Sequence, residues 1–343
     1  MKILYGVLSQ GQGHINRAAQ MLRRLEARGH RVEVVLSGDR PPAYAERELP
    51  RHTWLPVTNF VLESGVVHRR RSISAFLGTV PARTIFVRDL RRRLAKERFD
   101  LVLTDFEPLS AWAAWLSKVP VAGIAGQYRI TRTDALQPAR GTGAVVERAL
   151  AHAVIDAWTP PLSRYFAVSY ALDRPTRART DVIGPIVDDR LVSRSTDARA
   201  RSGFRVAYLY SYSVDTVLRA LAGRGPFRVY GLGAHASRGD IELLATDRDG
   251  FRRDLAACEG VILNGSFQGV CEAAALGKPI LVVPFRGQYE ERFNAMQVER
   301  AGLGVTSDRL TAGAVDRLLA AAPVRPIPTP TDGAAQAIAA LSL

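Results

Sequence analysis

Apolar residues in this chain fall into two kinds of run. Short, nearly continuous runs such as Lys2–Leu8 (KILYGVL) and Val121–Ala125 read as strands buried on both faces. Between them lie longer stretches whose apolar positions recur every three or four residues. Ile15, Ala18, Ala19, Leu22 and Leu25 form one such helical stripe, closed by Gly29. The same pattern predicts strands over 31–36, 101–104 and near Phe166 and Val182, and helices over 74–97, Pro108–Leu116 and 142–157. Strands alternating with helices imply a mostly parallel sheet covered on both faces.

The alternation halts at Gly184-Pro185, and the polar stretch 188–202 reads as a linker. It then restarts, with strands over 205–210, 227–232, 260–263 and 280–284. Helices are expected over 214–222, 250–257, 269–276, 290–301 and 312–322. A Pro-rich segment, 323–330, cannot be an ordinary helix, and a last Ala-rich helix over 333–341 is expected to pack back onto the first domain. The expected architecture is α/β: two Rossmann-like domains, 1–185 and 203–322, facing a cleft, joined by a linker at 186–202 and followed by a crossover and terminal helix at 323–343.

Composition narrows this picture little. The longest apolar runs are strand-length, well short of a membrane span, and the N-terminal residues lack the apolar region of a secretion signal. Two cysteines, Cys258 and Cys271, are too few for a disulfide framework or a cysteine-rich metal site, so a cytoplasmic protein is expected. The net charge of +14 is almost entirely arginine, since the chain has only four lysines. The densest cluster is His68-Arg69-Arg70-Arg71, followed by Arg88, Arg91, Arg92 and Arg93. It is either a solvated basic face or a patch for an anionic surface, such as the inner face of a membrane. No basic motif interleaved with aromatics points to nucleic acid.

Four stretches carry chemistry. In Ser9-Gln-Gly11-Gln-Gly13-His14, glycines after a first strand permit a tight turn, and a histidine opens the next helix. His14 is either a general base or a capping and packing residue. Asp105 ends a predicted strand at the edge where parallel sheets bind ligands, so it either orients a neighbouring imidazole or caps the helix beginning near Pro108. Asn264, Gly265, Ser266 and Gln268 sit between a strand and a helix start, where amide groups and the helix dipole favour phosphate. Glu272, a turn later, either accepts bonds from two ribose hydroxyls or merely complements the dipole. The fourth stretch, Pro284 to Ala295, gathers Gln288, Glu290, Glu291 and Asn294 at another strand-to-helix transition suited to sugar hydroxyls. The triplet Asp247-Arg-Asp249 precedes a helix and reads as a cap rather than a metal site.

Together these stretches resemble the GT-B glycosyltransferases: the bacterial family 28 type that includes the enzyme making lipid II, and the related glucuronosyl- and glucosyltransferases. The donor signature of those enzymes is matched by Asn264-Gly265-Ser266-Phe267-Gln268, Glu272, Gly277-Lys278-Pro279 and Pro284 at the expected spacing. The resemblance implies that Asn264, Ser266 and Gln268 face a diphosphate and Glu272 the ribose. It places Phe251 at the base-contacting loop and Ser211 in a phosphate loop that here lacks its usual glycines. It makes Gly11-Gln-Gly13-His14 the first-domain loop with the catalytic histidine, and Asp105 its partner. Glu290-Glu291 takes the place of the sugar-reading pair, with Glu where Gln is usual. The implied enzyme is an inverting, metal-independent hexosyltransferase without a cofactor. Its donor is a nucleoside diphosphate sugar, with UDP the expected nucleotide and TDP the alternative. Its acceptor is a small molecule, lipid or saccharide bound over residues 40–95, with Trp54, Phe60 and His68. A sugar-nucleotide 2-epimerase and a non-catalytic sugar-nucleotide-binding protein are the rival readings.

Overall fold

A computed structural model describes the chain except for residues 10–11, 58–60, 64–65, 68, 139–141, 172, 198–202, 211, 234–235, 286 and 325–331. It contains two compact units. The first comprises Met1–Val61, Val67–Ile186 and Thr331–Leu343; the second comprises Leu62–Val66 and Val187–Pro330.

The first unit opens with β1 (Lys2–Leu8), α1 (Gln12–Ala27), β2 (Arg31–Gly38), α2 (Tyr44–Glu48) and β3 (Thr53–Pro56), and the short β4 (Leu62–Glu63) and β5 (Val66–Val67) follow in sequence. Next come α3 (Arg69–Gly78), α4 (Val80–Glu97), β6 (Leu101–Asp105), α5 (Pro108–Leu116), β7 (Val121–Ala125), α6 (Tyr128–Arg132), α7 (Thr142–Trp158), β8 (Arg164–Val168) and β9 (Thr180–Ile183). Its sheet runs β3-β2-β1-β6-β7-β8-β9, and every pairing is parallel. The interior strands β6 and β7 are buried at every position, as their unbroken apolar runs require. Helix α1 buries Ile15, Ala18, Ala19, Leu22 and Leu25, the stripe expected from its periodicity. The single helix expected over 74–97 is instead two. The break falls at Thr79, between Gly78 at the end of α3 and Pro81 in the first turn of α4, residues that favour a helix end and a helix start.

The second unit holds α8 (Asp189–Asp197), β10 (Arg205–Tyr208), α9 (Val214–Leu221), β11 (Phe227–Tyr230), β12 (Ala236–Arg238), β13 (Ile241–Leu243), α10 (Arg248–Ala257) and β14 (Val261–Leu263). It continues with α11 (Phe267–Ala275), β15 (Ile280–Val282), α12 (Tyr289–Arg300), β16 (Gly304–Thr306) and α13 (Ala312–Leu319). The sheet order is β12-β13-β11-β10-β14-β15-β16, parallel apart from the β12–β13 edge pair. The stretch expected as a linker carries α8, which packs on α10; Asp188 ties the two by an ion pair with Arg252 at 3.1 Å.

The last helix, α14 (Gly333–Ala340), rejoins the first unit against α1 and β9. It buries Ala334, Ala337 and Ile338. Gln336 accepts the Gly184 N–H at 2.7 Å, and Asp332 pairs with Arg24.

Both sheets are wound the same way. From β1 the chain builds outward through β2 and β3, then returns to place β6 on the other side of β1. From β10 it builds outward, then returns to place β14 on the other side of β10. Each unit therefore has one switch point, and the loops leaving the carboxyl ends of the two flanking strands diverge there to leave room for a ligand.

Candidate active site

At the first switch point, β1 and β6 are in register with Val7 opposite Asp105. Asp105 is fully buried, and its Oδ1 accepts the Nδ1–H of His14 at 2.6 Å. An ionised carboxylate has no proton to give, so Nδ1 carries the hydrogen, and in the neutral ring the lone pair then lies on Nε2. The His14 side chain retains 13% of its exposure while Asp105 retains none. Arg17, one turn along α1, donates from Nε to Oδ2 at 2.7 Å and from Nη2 to Oδ1 at 2.5 Å. Burial pushes the Asp105 carboxyl up, but Arg17 and His14 outweigh it and hold the group below the ordinary carboxylate range.

The turn after Asp105 explains how two adjacent carboxylates find separate partners. Phe106 has φ 53°, a left-handed conformation that a bulky side chain adopts at a cost of about 1–2 kcal/mol. Its ring lies nearly parallel to His14 at 6.4 Å and packs against Trp158 at 5.2 Å. Beyond it, Glu107 is the N-cap of α5, accepting the Leu109 and Ser110 N–H groups at 2.7 Å each. It also accepts the Ser37 hydroxyl at 2.6 Å and the Ser110 hydroxyl. Gly6 makes room for this cap, because a Cβ there would overlap the Ser110 hydroxyl. Helix capping, open to Asp105 from sequence alone, thus belongs to Glu107, and Asp105 is committed to His14 and Arg17.

At the second switch point, Asn264 follows β14 and braces the sheet edge. Its Oδ1 accepts the Tyr210 N–H at 3.3 Å and its Nδ2 donates to the Val283 carbonyl at 3.0 Å. Ser266 is exposed at the N-cap of α11 but makes no capping bond. Gln288 likewise caps α12 without a side-chain bond, and its Oε1 is buried with no partner. By contrast, Ser213, Asp247 and Thr311 do cap α9, α10 and α13. Among the described helices of the second unit, the starts without a side-chain cap are those after β14 and β15, adjacent strands at and beside the switch point; α2, α4 and α6 of the first unit also start without one. Asp247, accepting the Asp249 and Gly250 N–H groups, is the cap its sequence suggested. Among the described residues no group of His, Cys, Asp and Glu could hold a metal ion.

Glu272 and Glu291 occupy different environments. Glu272 is buried on α11, where burial pushes its carboxyl up against the opposing pull of Arg252 and a 3.4 Å bond from Gln268. Glu291 is 4% exposed, and its Oε2 accepts the Phe285 and Gly265 N–H groups at 2.8 and 3.3 Å. Asn294 donates to the Gly265 carbonyl at 2.9 Å, so α12 satisfies both backbone groups of Gly265. Only glycine fits here: a Cβ would lie 2.6 Å from the Glu291 carbonyl oxygen. Glu291 is thus a staple between α12 and Gly265, while Glu290 beside it is half-buried.

The remaining expectations divide. Gly13 lies inside α1 and not in the turn before it. Phe251 is on α10, packed against Tyr208 and Tyr230 at 4.9 and 5.6 Å, which makes it a core residue of that helix and not a loop residue. Gly11, Ser211, Phe60 and His68 lie outside the described residues, whereas Trp54 is exposed on β3. Arg88, Arg91 and Arg92 are exposed on α4; Arg93 pairs with Glu33 and Glu97. None of the described helices is long and apolar enough to cross a membrane. Sequence reasoning missed Arg17, Glu107 and Arg252. Arg17 was detectable, since a residue three positions after His14 shares its helix face.

Two Rossmann-like units, each with polar groups gathered at the switch point of its sheet, define a glycosyltransferase of the GT-B class. The model of glycosyl transferase family 1 matches residues 1–323, and the chain belongs to that family. Among solved structures it is similar to CalG4, the calicheamicin glycosyltransferase, with 18% identity, a TM-score of 0.65 and coverage of 99% of this chain and 97% of that one. It is also similar to SnogD from Streptomyces nogalater, with 20% identity, a TM-score of 0.59 and coverage of 100% and 99%. A third, UGT2 of Phytolacca americana complexed with UDP-2-fluoro-glucose and pterostilbene, has 14% identity, a TM-score of 0.63 and coverage of 93% and 89%. No curated protein sequence matches the chain.

Proposed function

We propose that this glycosyltransferase moves a hexose from a nucleoside diphosphate sugar, with UDP as the nucleotide, to an acceptor hydroxyl with inversion at the anomeric carbon. The observation that carries this reading is the 2.6 Å bond from His14 Nδ1 to buried Asp105, which leaves Nε2 as a base at the ligand edge of its sheet. In the reaction, Nε2 takes the proton from the acceptor hydroxyl. The oxygen attacks the anomeric carbon from the face opposite the diphosphate, and the bond to the diphosphate oxygen breaks. Asp105 stabilises the imidazolium that forms. The leaving diphosphate gathers charge, and the uncapped N-terminus of α11, with Ser266, supplies N–H and O–H donors to receive it in the role a metal ion plays elsewhere. Glu272, buried on α11 beside Gln268, accepts from the ribose hydroxyls.

The test is release of UDP from UDP-glucose across a panel of phenolic and polyketide acceptors, with and without His14→Ala. Release that depends on the acceptor, and falls by about 10²–10⁴-fold in the variant while its circular dichroism is unchanged, is expected. Equal release in the variant removes His14 from the mechanism. Release without any acceptor favours the epimerase reading.

A further inference from the structure

Arg17 makes more of the Asp105–His14 pair than a simple dyad. Its side chain is 4% exposed and grips both oxygens of Asp105, so that Oδ1 accepts from Arg17 Nη2 and His14 Nδ1 together. Nη2 also lies 3.1 Å from Nδ1. Neither of those nitrogens can accept while Nδ1 is protonated, so this contact sets a fixed positive charge against the edge of the ring. The other ionisable groups facing the pair are Tyr5 on β1 and Tyr128 on α6, whose hydroxyls burial keeps neutral, with Asp105 reinforcing the effect.

We infer that Arg17 is a positioning residue that sets the working pH of the His14 base. It fixes the Asp105 carboxylate where it receives Nδ1–H, and it offsets part of the charge that would otherwise hold a proton on the ring before an acceptor arrives. This rests on His14 being the base, as proposed above. The charge count shows the consequence. With Arg17, the resting trio of neutral His14, Asp105 carboxylate and guanidinium sums to zero, and proton abstraction takes it to +1. Without Arg17 the resting pair would carry −1, and protonation of the imidazole would neutralise it. A buried, uncompensated carboxylate would therefore draw a proton onto His14 in the resting enzyme and block the base. Arg17 holds Asp105 ionised against burial and at the same time keeps Nε2 free.

The experiment compares the unsubstituted chain with Arg17→Gln and Arg17→Lys. It measures kcat/KM against pH from about 5.5 to 9 with UDP-glucose and a phenolic acceptor, and follows the His14 ring resonances by NMR over the same range. In R17Q the acidic limb is expected to move up by about one pH unit, so that activity on that limb falls by up to about tenfold and recovers at higher pH. R17K, which keeps the cation but loses the paired geometry, is expected to lower kcat with the limb unmoved. A limb in R17Q that coincides with that of the unsubstituted chain, with activity lowered by one factor at all pH values, makes Arg17 merely structural and overturns the inference. If R17Q does not fold, Arg17→Met, which also removes the cation, takes its place: a limb moved up supports the inference, and a fixed limb overturns it. If His14→Ala keeps full activity, the functional reading fails, whereas the NMR titration of His14 in R17Q still decides for or against Arg17.

Discussion

Glu291 shows how far a residue's role depends on what lies beneath it. From sequence it stands in the place of a sugar-reading side chain; in the fold its Oε2 accepts two backbone N–H groups. Burial pushes it from the ordinary 4.5 up to about 7, against the pull of those two bonds. The native state therefore keeps a proton that the unfolded chain gives up. Stability is fully present below about pH 4.5 and declines as pH rises through about 7, by on the order of 3 kcal/mol. Glu291→Gln retains an oxygen to accept both bonds and cannot titrate. The urea midpoint of the variant is expected to exceed that of the unsubstituted chain at pH 8 and to match it near pH 5. A difference that does not vary with pH would contradict this account. Asp105 was legible as a candidate because it closes an apolar strand, but its choice of partner was not: the strained turn at Phe106 separates it from Glu107, and nothing in the residue types announces that turn.

Helix starts separate structural from functional positions. A capped start has its donors satisfied by its own side chain, whereas an uncapped start has no such bond to lose. Asp247→Ala is expected to lower the unfolding free energy by about 1 kcal/mol and leave UDP affinity unchanged. Ser266→Ala, which removes no cap bond, is expected to leave stability within about 0.5 kcal/mol and to weaken UDP binding about tenfold. Calorimetric titration with UDP and urea unfolding on both variants provide the check, and S266A destabilised as much as D247A with intact UDP binding would refute the distinction. Most long elements could be read from the sequence, because buried parallel strands leave apolar runs and amphipathic helices leave stripes. Elements of three residues such as β12, β13 and β16 leave no period to read. Helix α8 was hidden by its polar composition; it packs on α10, with Leu191 buried and Asp188 before it paired with Arg252.

At the scale of the whole chain, the doubly wound order of each sheet follows from strand–helix alternation, and the switch points follow from that order. This is why His14, Asp105 and Asn264 could be picked out before their contacts were known: Asp105 ends a strand, Asn264 directly follows one, and His14 opens the helix after one. The return of α14 to the first unit was readable from the Pro-rich break and the Ala-rich helix after it. The burial of Glu272 and Glu291 was not, because neighbours such as Arg252, 20 residues before Glu272 in sequence, meet them only through the fold. The central claim is a single displacement driven by a histidine base, and the anomeric configuration of the product reports on it directly. With UDP-α-glucose as donor and a phenolic acceptor, proton NMR of the product is expected to show the β-glucoside. An α-glucoside would mean retention, and would contradict direct attack by an acceptor oxygen deprotonated by His14.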